Sequence, residues 1–187
     1  MRLTIQNMVC PRCVESVQQI FQEENIPVEE VSLGSVETEG ILDEDSLKRL
    51  SARLKERGFA LVQDREKVLI EQMKVRLLEY LHHLESNDEP KKLSVFIGNK
   101  LHYNYSYLSK IFSEQMNETV ENYLIRLKIE RVKELLSYRT HTLSEIAWRL
   151  KYSSVQYLSN QFKKVTGETV TRYLDKKVPD RKSLDHL

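Results

Sequence analysis

Several features common in other protein classes are scarce in this chain of 187 residues. It has only two cysteines, which excludes a fold held together by several disulfides. The 5 glycines and 4 prolines are too few for a collagen-like or linker-like sequence. No apolar run approaches the roughly 18 residues of a membrane-spanning helix, and the start MRLTIQNMVC lacks the apolar core of a signal peptide. We therefore expect a cytoplasmic protein with no membrane partner, in which both cysteines stay reduced.

The net charge of +1 hides an uneven distribution of charged residues. Residues 1–90 carry eleven Lys and Arg against eighteen Asp and Glu, a net charge of −7. From Lys91 onward the chain carries eighteen Lys and Arg against ten Asp and Glu, a net charge of +8. The hydrophobic content of 40% is enough for packed cores. We expect the basic half to attract a nucleic-acid backbone and the acidic half to stay away from it.

The C-terminal half contains the same pattern twice, fifty residues apart. Residues 93–124 align with residues 143–174, and most of the identical positions are apolar or typical of helix caps. The identical pairs are Leu93/Leu143, Ser94/Ser144, Tyr107/Tyr157, Leu108/Leu158, Ser109/Ser159, Phe112/Phe162, Glu118/Glu168, Thr119/Thr169, Val120/Val170, Tyr123/Tyr173 and Leu124/Leu174. What repeats is therefore a scaffold.

Other positions differ between the two copies. Ser106 in the first copy corresponds to Gln156 in the second, and Lys110 corresponds to Asn160. A scaffold that is copied with altered exposed residues suggests one device that recognises two different targets.

The second copy has the length of a helix-turn-helix, with capping and turn residues at the expected positions. Thr142 or Ser144 can cap its first helix, a turn of three residues follows, and Ser153 or Ser154 can cap the second helix. Gly167 then ends the second helix. Apolar side chains recur along this helix at helical spacing and are expected to face inward: Val155, Leu158, Phe162 and Val165.

The outer face of this second helix combines amide and basic side chains. Gln156 and Asn160 lie one turn apart, and Lys163 and Lys164 follow them. Amide side chains pair with adenine in the major groove, whereas lysines suit phosphates. Such a face on a lone amphipathic helix is more often simply solvated. The duplication and the local positive charge favour DNA recognition here.

The two copies resemble the AraC/XylS family of bacterial transcription regulators. The stretch LSEIAWRLKYSSVQYLSNQFKKVTGETVTRYL is similar to the C-terminal signature of that family. The stretch YLSKIFSEQMNETVENYLIRLKIERVKELLS resembles its first recognition helix and its long linker helix. Lys151 and Asn117 depart from the family pattern, since both stand where glycine is usual. The resemblance covers about half of the chain.

The resemblance implies an all-α C-terminal domain of seven helices with two helix-turn-helix motifs. Its two recognition helices would enter successive major grooves of a double-stranded DNA operator, whose two half-sites lie about one turn apart. By position, the implied base-contacting residues are Ser106 and Lys110 in the first recognition helix and Gln156 and Asn160 in the second. RNA polymerase and a second copy of the chain, which would make a homodimer, are further candidate partners.

Residues 1–64 predict a small α+β domain. Alternating apolar residues indicate strands, and apolar residues at helical spacing indicate helices. The predicted elements, in order, are strand 1–6, helix 14–24, strands 28–33 and 34–39, helix 46–57 and strand 59–62. The order βαββαβ is that of the ferredoxin-like split unit.

The loop after the first strand carries a Met-x-Cys-x-x-Cys pattern. Met8, Cys10 and Cys13, together with Gly58 and Phe59, resemble the heavy-metal-associated domain of copper chaperones and metal-transporting ATPases. The resemblance implies a metal site at Cys10 and Cys13. A helix N-terminus favours thiolates, and two thiolates suit two-coordinate Cu(I), with other soft or borderline ions such as zinc as alternatives. It stays open that the domain is an interaction module whose cysteines bind nothing.

The sequence therefore predicts four segments: a heavy-metal-associated-like ferredoxin-fold domain at 1–64, a connecting helix at 65–86 that is the first helix of the DNA-binding domain, a double helix-turn-helix at 87–178, and a tail at 179–187. The expected function is a sequence-specific transcription regulator that responds to a soft metal ion. No arrangement of serine, histidine or carboxylate residues indicates an enzyme. One alternative is a regulator whose N-terminal domain is a non-metal interaction module. The other is a metal carrier or thiol redox protein whose helical domain docks a partner.

Overall fold

The computed structural model describes residues 1–62, 64–86 and 89–175. The chain folds into two compact units, Met1–Arg76 and Leu77–Leu187. The division falls inside a helix, so that each unit includes part of it. The domain boundaries expected from the sequence stay a prediction, and the predicted tail at 179–187 lies outside the described residues.

The N-terminal unit is built around a small antiparallel sheet. Its elements are β1 (Arg2–Gln6), α1 (Pro11–Glu23), β2 (Val28–Ser32), β3 (Ser35–Thr38), α2 (Glu44–Glu56) and β4 (Ala60–Val62). The four strands lie in the order β2-β3-β1-β4, and β1 is antiparallel to both of its neighbours. The element order matches the prediction. Helix α1 begins three residues earlier than expected, because Pro11 suits the first helical position.

The core of this unit follows the predicted periodicity. Leu3 and Ile5 of β1 are buried on the same face of the strand, as the alternation indicated. They belong to one apolar cluster with side chains from both helices: Val17, Ile20, Phe21, Leu50 and Leu54. The side chain of Asp43 caps α2 by accepting a hydrogen bond from the backbone N–H of Ser46 at 2.7 Å.

The turn between β2 and β3 lies close to helix α3 (Arg65–Ser86). Gly34 in this turn has φ +78°, a conformation that favours glycine. A Cβ atom at Gly34 would lie 2.8 Å from Cγ2 of Val75, which is closer than carbon atoms can pack. Glycine is therefore required here both by the backbone conformation and by the packing of α3 against the hairpin.

The C-terminal unit is helical throughout the part that the structure describes. After α3 it contains α4 (Leu93–Leu101), α5 (Tyr105–Met116), α6 (Val120–Ser137), α7 (Leu143–Arg149), α8 (Val155–Thr166) and α9 (Val170–Leu174). Helices α4 and α5 form the first helix-turn-helix, and α7 and α8 form the second. Helix α6 contacts α5, α7 and α8, so it joins the two motifs. Counted from α3, seven helices lie in the described residues, as the resemblance implied.

The second helices of the two motifs, α5 and α8, are capped in the same way at both ends. Side-chain oxygens of Asn104 and Ser154 cap α5 and α8. The residues that end these helices, Asn117 and Gly167, are both left-handed, with φ 55° and 81°. Asn117 therefore performs the role of the usual glycine, because asparagine tolerates this conformation.

Each motif contains an equivalent pair of packed aromatic side chains. Phe112 meets Tyr123 edge to face, and Phe162 meets Tyr173 in the same way, with ring centroids 5.4 Å apart in both pairs. Val165 was expected inward but is 38% exposed. The buried apolar stripe of α8 ends at Phe162, and Val165 lies in the last turn beyond it.

Among the described residues, no helix combines the length and the apolar character needed to cross a membrane.

Candidate DNA interface and cysteine loop

The face of α8 that points away from the core carries the residues predicted to contact DNA. Gln156, Asn160, Lys163 and Lys164 are all exposed. Nε2 of Gln156 donates a hydrogen bond to Oδ1 of Asn160 at 3.0 Å, so the two amides lie side by side. The two lysines follow in the last turn of the helix. This face can offer hydrogen bonds to base edges and positive charge to phosphates.

The corresponding face of α5 is also exposed. Ser106 and Lys110 occupy the positions equivalent to Gln156 and Asn160. Nζ of Lys110 lies 3.9 Å from Oε1 of Glu114, and an exposed ion pair of this length holds the lysine only weakly. The structure places each predicted pair together on one helix. That these residues contact bases stays a prediction.

Equivalent buried residues fix the rotation of both helices. Leu108 and Phe112 of α5 are fully buried, and so are Leu158 and Phe162 of α8. Because these positions share one face of each helix, the residues two positions before the leucine and two after it point to solvent. The scaffold repeated in the sequence therefore controls which side chains each helix presents.

Two tyrosines extend this surface, and sequence reasoning assigned both to the scaffold. Tyr107 is 48% exposed and Tyr157 is 50% exposed. Each follows a predicted base-contacting residue, Ser106 or Gln156, by one position. Tyr107 stacks on Tyr103 with ring centroids 5.7 Å apart. Their exposure could have been predicted from their position in the sequence. Each tyrosine lies between an exposed residue and a buried leucine, and such a residue lies at the edge of the buried stripe of a helix.

An exposed aromatic residue lies near the end of α7, just before the turn of the second motif. Trp148 is 67% exposed, and Nζ of Lys151 lies 4.6 Å from its ring centroid. Lys151 has φ 55°, the left-handed conformation that the usual glycine would adopt. A left-handed lysine costs about 1 kcal/mol, which its cation–π contact with Trp148 partly offsets.

A partly buried lysine lies beneath the same turn. Nζ of Lys128, on α6, lies 4.8 Å from the ring centroid of Tyr152. Burial lowers the pKa of Lys128 to about 8. The cation–π contact favours the charged amine, but the loss of hydration outweighs it. Burial also raises the pKa of Tyr152, whose buried hydroxyl has no hydrogen-bond partner among the described residues.

A buried carboxylate joins three helices of the C-terminal unit. The side chain of Glu85, at the end of α3, is 4% exposed. Its oxygens accept hydrogen bonds from Nε and Nη2 of Arg131 on α6 at 2.7 and 3.0 Å, and from Nε of Arg149 on α7 at 2.7 Å. Burial alone would raise the pKa of Glu85, but the two arginines outweigh it and hold that pKa below its usual range. The network ties α7, the first helix of the second motif, to α3 and α6.

The cysteine loop lies at the start of α1. Cys10 is the N-cap residue of this helix, and Sγ of Cys10 lies 3.3 Å from Sγ of Cys13. Met8 is buried in the apolar core, so it anchors the loop. Burial raises the pKa of the Cys13 thiol, against backbone hydrogen bonds that lower it. At Cys13, burial therefore opposes the preference for thiolate that the sequence predicted at this helix N-terminus.

The donor set of this loop suits a soft ion with few ligands. Metal–sulfur bonds of about 2.3 Å place two sulfurs on either side of one ion about 4 Å or more apart. The two thiols lie closer together than this, at 3.3 Å, so an ion held between them would require the sulfurs to move apart. Among residues 1–62, 64–86 and 89–175, no group of three or more His, Cys, Asp or Glu side chains is placed to hold a metal ion. The described residues thus offer two thiols but no closed zinc site.

A family model described as a helix-turn-helix domain matches residues 97–176 of this chain. This match lies within the C-terminal half. The chain is similar to the uncharacterized HTH-type transcriptional regulator YtdP of Bacillus subtilis, with 33% identity over 43% of this chain and 10% of that protein. It is similar to the HTH-type regulator YobQ of the same organism, with 28% identity over 56% of this chain and 42% of that protein. It is also similar to the xylose operon regulatory protein of Escherichia coli, with 34% identity over 37% of this chain and 18% of that protein.

A solved structure agrees with the fold. The C-terminal domain of AraT, a response regulator from Geobacillus stearothermophilus, matches with a TM-score of 0.52 and 18% identity, over 64% of this chain and 94% of that one. The chain spans less than half the length of the curated relatives that it matches. These relatives are named as regulators and not as enzymes, in line with what the sequence predicted for this chain. The match over residues 97–176 therefore identifies a helix-turn-helix domain in the C-terminal half, where the repeated pattern predicted one.

Proposed function

We propose that this chain is a sequence-specific, DNA-binding transcription regulator. The observation that carries the proposal is the pair of equivalent helices, α5 and α8, each held by the same buried residues and each presenting a different exposed pair. Ser106 and Lys110 on α5, and Gln156 and Asn160 on α8, are the proposed base contacts. The relatives whose names describe them as transcriptional regulators support this function.

The charge of the C-terminal half supports binding to duplex DNA. Its net charge of +8 favours the phosphate backbone, and Lys163 and Lys164 stand at the end of the proposed recognition helix. Helix α6 connects the two motifs in one unit, so a single chain would contact two half-sites about one DNA turn apart. RNA polymerase, a homodimer and a cytoplasmic location stay predictions.

We further propose that the N-terminal unit is a ferredoxin-like, heavy-metal-associated domain that senses a soft metal ion. Its βαββαβ order and its sheet order β2-β3-β1-β4 support this fold. Cys10 and Cys13 would hold the ion, with Cu(I) preferred and zinc as the alternative. When bound, a soft cation would draw the two sulfurs into the thiolate form and compensate for the burial of Cys13.

A second candidate function keeps DNA binding but gives the N-terminal unit another role. Burial raises the pKa of the Cys13 thiol and so opposes the thiolate form that a metal ligand needs, which favours an interaction module whose cysteines bind nothing. A metal carrier or thiol redox protein that merely docks a partner is the remaining alternative. It predicts no preference for any DNA sequence.

The proposed function is tested by selection of DNA from a random duplex pool with the full chain. The affinity of the selected duplex and of random DNA is then measured at two salt concentrations. We expect a specific duplex that binds at least about 1,000-fold more tightly than random DNA, with both affinities falling as salt rises. Equal affinity for selected and random duplexes at both salt concentrations contradicts the proposal.

A further inference from the structure

A cleft in the C-terminal unit is formed by the end of α3, the segment before α4 and α4 itself. It has a volume of about 420 Å³ and is lined by five side chains: His83, Lys91, Phe96, Asn99 and Lys100. This volume falls within the range of about 300–1,000 Å³ that is usual for small-molecule sites. None of the five belongs to the proposed base contacts or to the cysteine loop, so the function proposed above leaves the cleft unexplained.

We propose that this cleft binds a small organic acid in which an apolar ring carries one carboxylate. The ring of the ligand would lie against Phe96, and its carboxylate would accept hydrogen bonds from Lys91 and Lys100. The proposal concerns a ligand other than DNA and does not depend on whether the chain recognises an operator.

The apolar wall of the cleft is a cluster of three rings. Phe96 is half-buried. Its ring centroid lies 5.2 Å from that of Tyr80 and 5.1 Å from that of His83, both on α3. These contacts hold the ring of Phe96 in place while part of it stays open to the cleft. A planar ring in the cleft can pack on it in the offset or tilted arrangement that aromatic pairs prefer.

The cleft also contains two ammonium groups from opposite ends of α4. Lys91 precedes this helix and Lys100 lies in its last turn, and both side chains are exposed. Among the described residues, neither ammonium group forms an ion pair with a carboxylate. Nζ of Lys100 lies 5.9 Å from the ring centroid of Phe96, at the limit of a cation–π contact. A carboxylate in the cleft would therefore meet two cations without displacing another anion.

The backbone at the edge of the cleft is held from both sides. The hydroxyl of Tyr80 donates a hydrogen bond to the carbonyl oxygen of Lys91 at 3.0 Å. The backbone N–H of Lys91 donates to Nε2 of His83 at 3.2 Å. The wall and the start of the Lys91 side chain are thus in place before a ligand arrives, which lowers the entropic cost of binding. The amide of Asn99 adds a donor and an acceptor.

The second copy of the repeat shows that the scaffold does not require these residues. Phe96 and Lys100 correspond to Ile146 and Leu150, fifty positions later. Both of these aliphatic side chains are fully buried, whereas Phe96 is half-buried and Lys100 is exposed. Packing of a helix-turn-helix is satisfied by the aliphatic pair. A phenylalanine and a lysine open to solvent at the same positions of the first motif therefore favour a ligand site.

The experiment is a titration of the full chain with two ring acids, phenylacetate and 2-naphthoate, followed by calorimetry and by backbone amide shifts in NMR spectra. We expect at least one of the acids to bind in a saturable manner, with the largest shifts at residues 91–100. Naphthalene-2-methanol has a ring without the charge, and acetate has the charge without a ring. Each should bind at least about 10-fold more weakly than the acid, because hydrogen bonds to charged groups and the ring contact are both needed.

Substitutions of similar size test the individual contacts. Lys91→Gln and Lys100→Gln should each raise the Kd of the acid about 10-fold, because each removes a charge-assisted hydrogen bond. Phe96→Leu should raise it about 2- to 10-fold through loss of the ring contact. Lys92→Gln is the matched control, since Lys92 is exposed beside Lys91 but is not among the described residues that line the cleft. Its Kd should equal that of wild type.

The proposal is overturned if neither acid binds in a saturable manner, or if the neutral alcohol binds as tightly as the acid. It is also overturned if Lys91→Gln and Lys100→Gln bind the acid as wild type does. The affinity of these variants for a random DNA duplex is measured in parallel. Loss of duplex binding with unchanged binding of the acids would assign the two lysines to phosphate contacts instead.

Discussion

Asn160 and Lys164 lie one turn apart on α8, yet they are expected to contribute differently to DNA binding. Asn160→Ala should cost about 1 to 3 kcal/mol on the operator and almost nothing on random DNA, because an amide contacts base edges. Lys164→Ala should weaken both alike and reduce the slope of affinity against salt by about one unit, because a lysine neutralises a phosphate. Fluorescence anisotropy with both duplexes measures the difference. Equal losses on operator and random DNA for Asn160→Ala would remove that residue from the site.

Glu85 connects α7 to α3 and α6 through its hydrogen bonds to Arg149 and Arg131. Glu85→Ala leaves Arg149 and part of the Arg131 guanidinium without their buried acceptor, and breaking a buried ion pair costs about 3 to 5 kcal/mol. The free energy of unfolding in urea measures the loss. Glu44→Gln is the matched control, since Glu44 pairs with Lys48 at 3.0 Å on an exposed surface, and its effect should stay below about 1 kcal/mol. Similar small losses in both variants would show that the network contributes little.

We expect Lys128 to make the stability of the C-terminal unit depend on pH. Because burial lowers its pKa from 10.5 to about 8, the unfolded chain binds a proton between these values that the folded chain does not. The free energy of unfolding should therefore rise with pH across this window, by at most about 3 kcal/mol at about 1.4 kcal/mol per pH unit. Lys128→Met removes this contribution, so its advantage over wild type at pH 7.5 should shrink by pH 10. A difference between the two proteins that does not change with pH contradicts the prediction.

At the scale of elements, α6 determines how the two motifs work together. Because it packs against α5, α7 and α8, both recognition helices belong to one unit. Insertion of five base pairs between the half-sites turns one of them to the opposite face of the duplex. The affinity should then fall to that of a duplex with one half-site. A duplex of unchanged length with an altered spacer sequence is the control. Unchanged affinity after the insertion would mean that only one motif binds DNA.

At the scale of the whole molecule, the prediction is that a metal ion bound in the N-terminal unit changes the DNA affinity of the C-terminal unit. The full chain and its Cys10→Ser, Cys13→Ser double variant are titrated with Cu(I) under reducing conditions, and DNA affinity is measured at each step. Copper changes DNA affinity only if it binds two arrangements of the protein differently. We expect wild type to bind one Cu(I) with a change in operator affinity. The double variant should keep its fold and basal DNA binding and lose the response.

A wild type that binds copper with no change in DNA affinity would make the N-terminal unit a carrier or docking module. A wild type that binds no copper would favour the interaction module. The same titration with zinc separates a preference for soft two-coordinate ions from general thiol binding.

Local sequence determined most of the elements and the orientation of their exposed residues. The connecting helix has the predicted bounds, Arg65–Ser86, because its apolar spacing is uninterrupted by glycine or proline. Thr142, one of the two predicted caps, caps α7 and forms a capping box with Glu145 of its first turn. The exposure of Gln156 and Asn160 also follows from spacing alone. Leu158 and Phe162 define the buried face of α8, and residues two positions away from Leu158 lie on the opposite face.

What the tertiary structure decided depends on residues far apart in the chain. Glu85 meets arginines that are 46 and 64 positions away, and no local pattern identifies such a partner. The pKa of Lys128 and that of the Cys13 thiol depend on burial by other elements, which the spacing of residues along the chain does not reveal. Periodicity is a property of the nearest turns of a helix, whereas desolvation and ion pairing depend on which helices come together. The sequence by itself therefore determined which side chains α5 and α8 present, and only the packed structure decided what holds those helices in place.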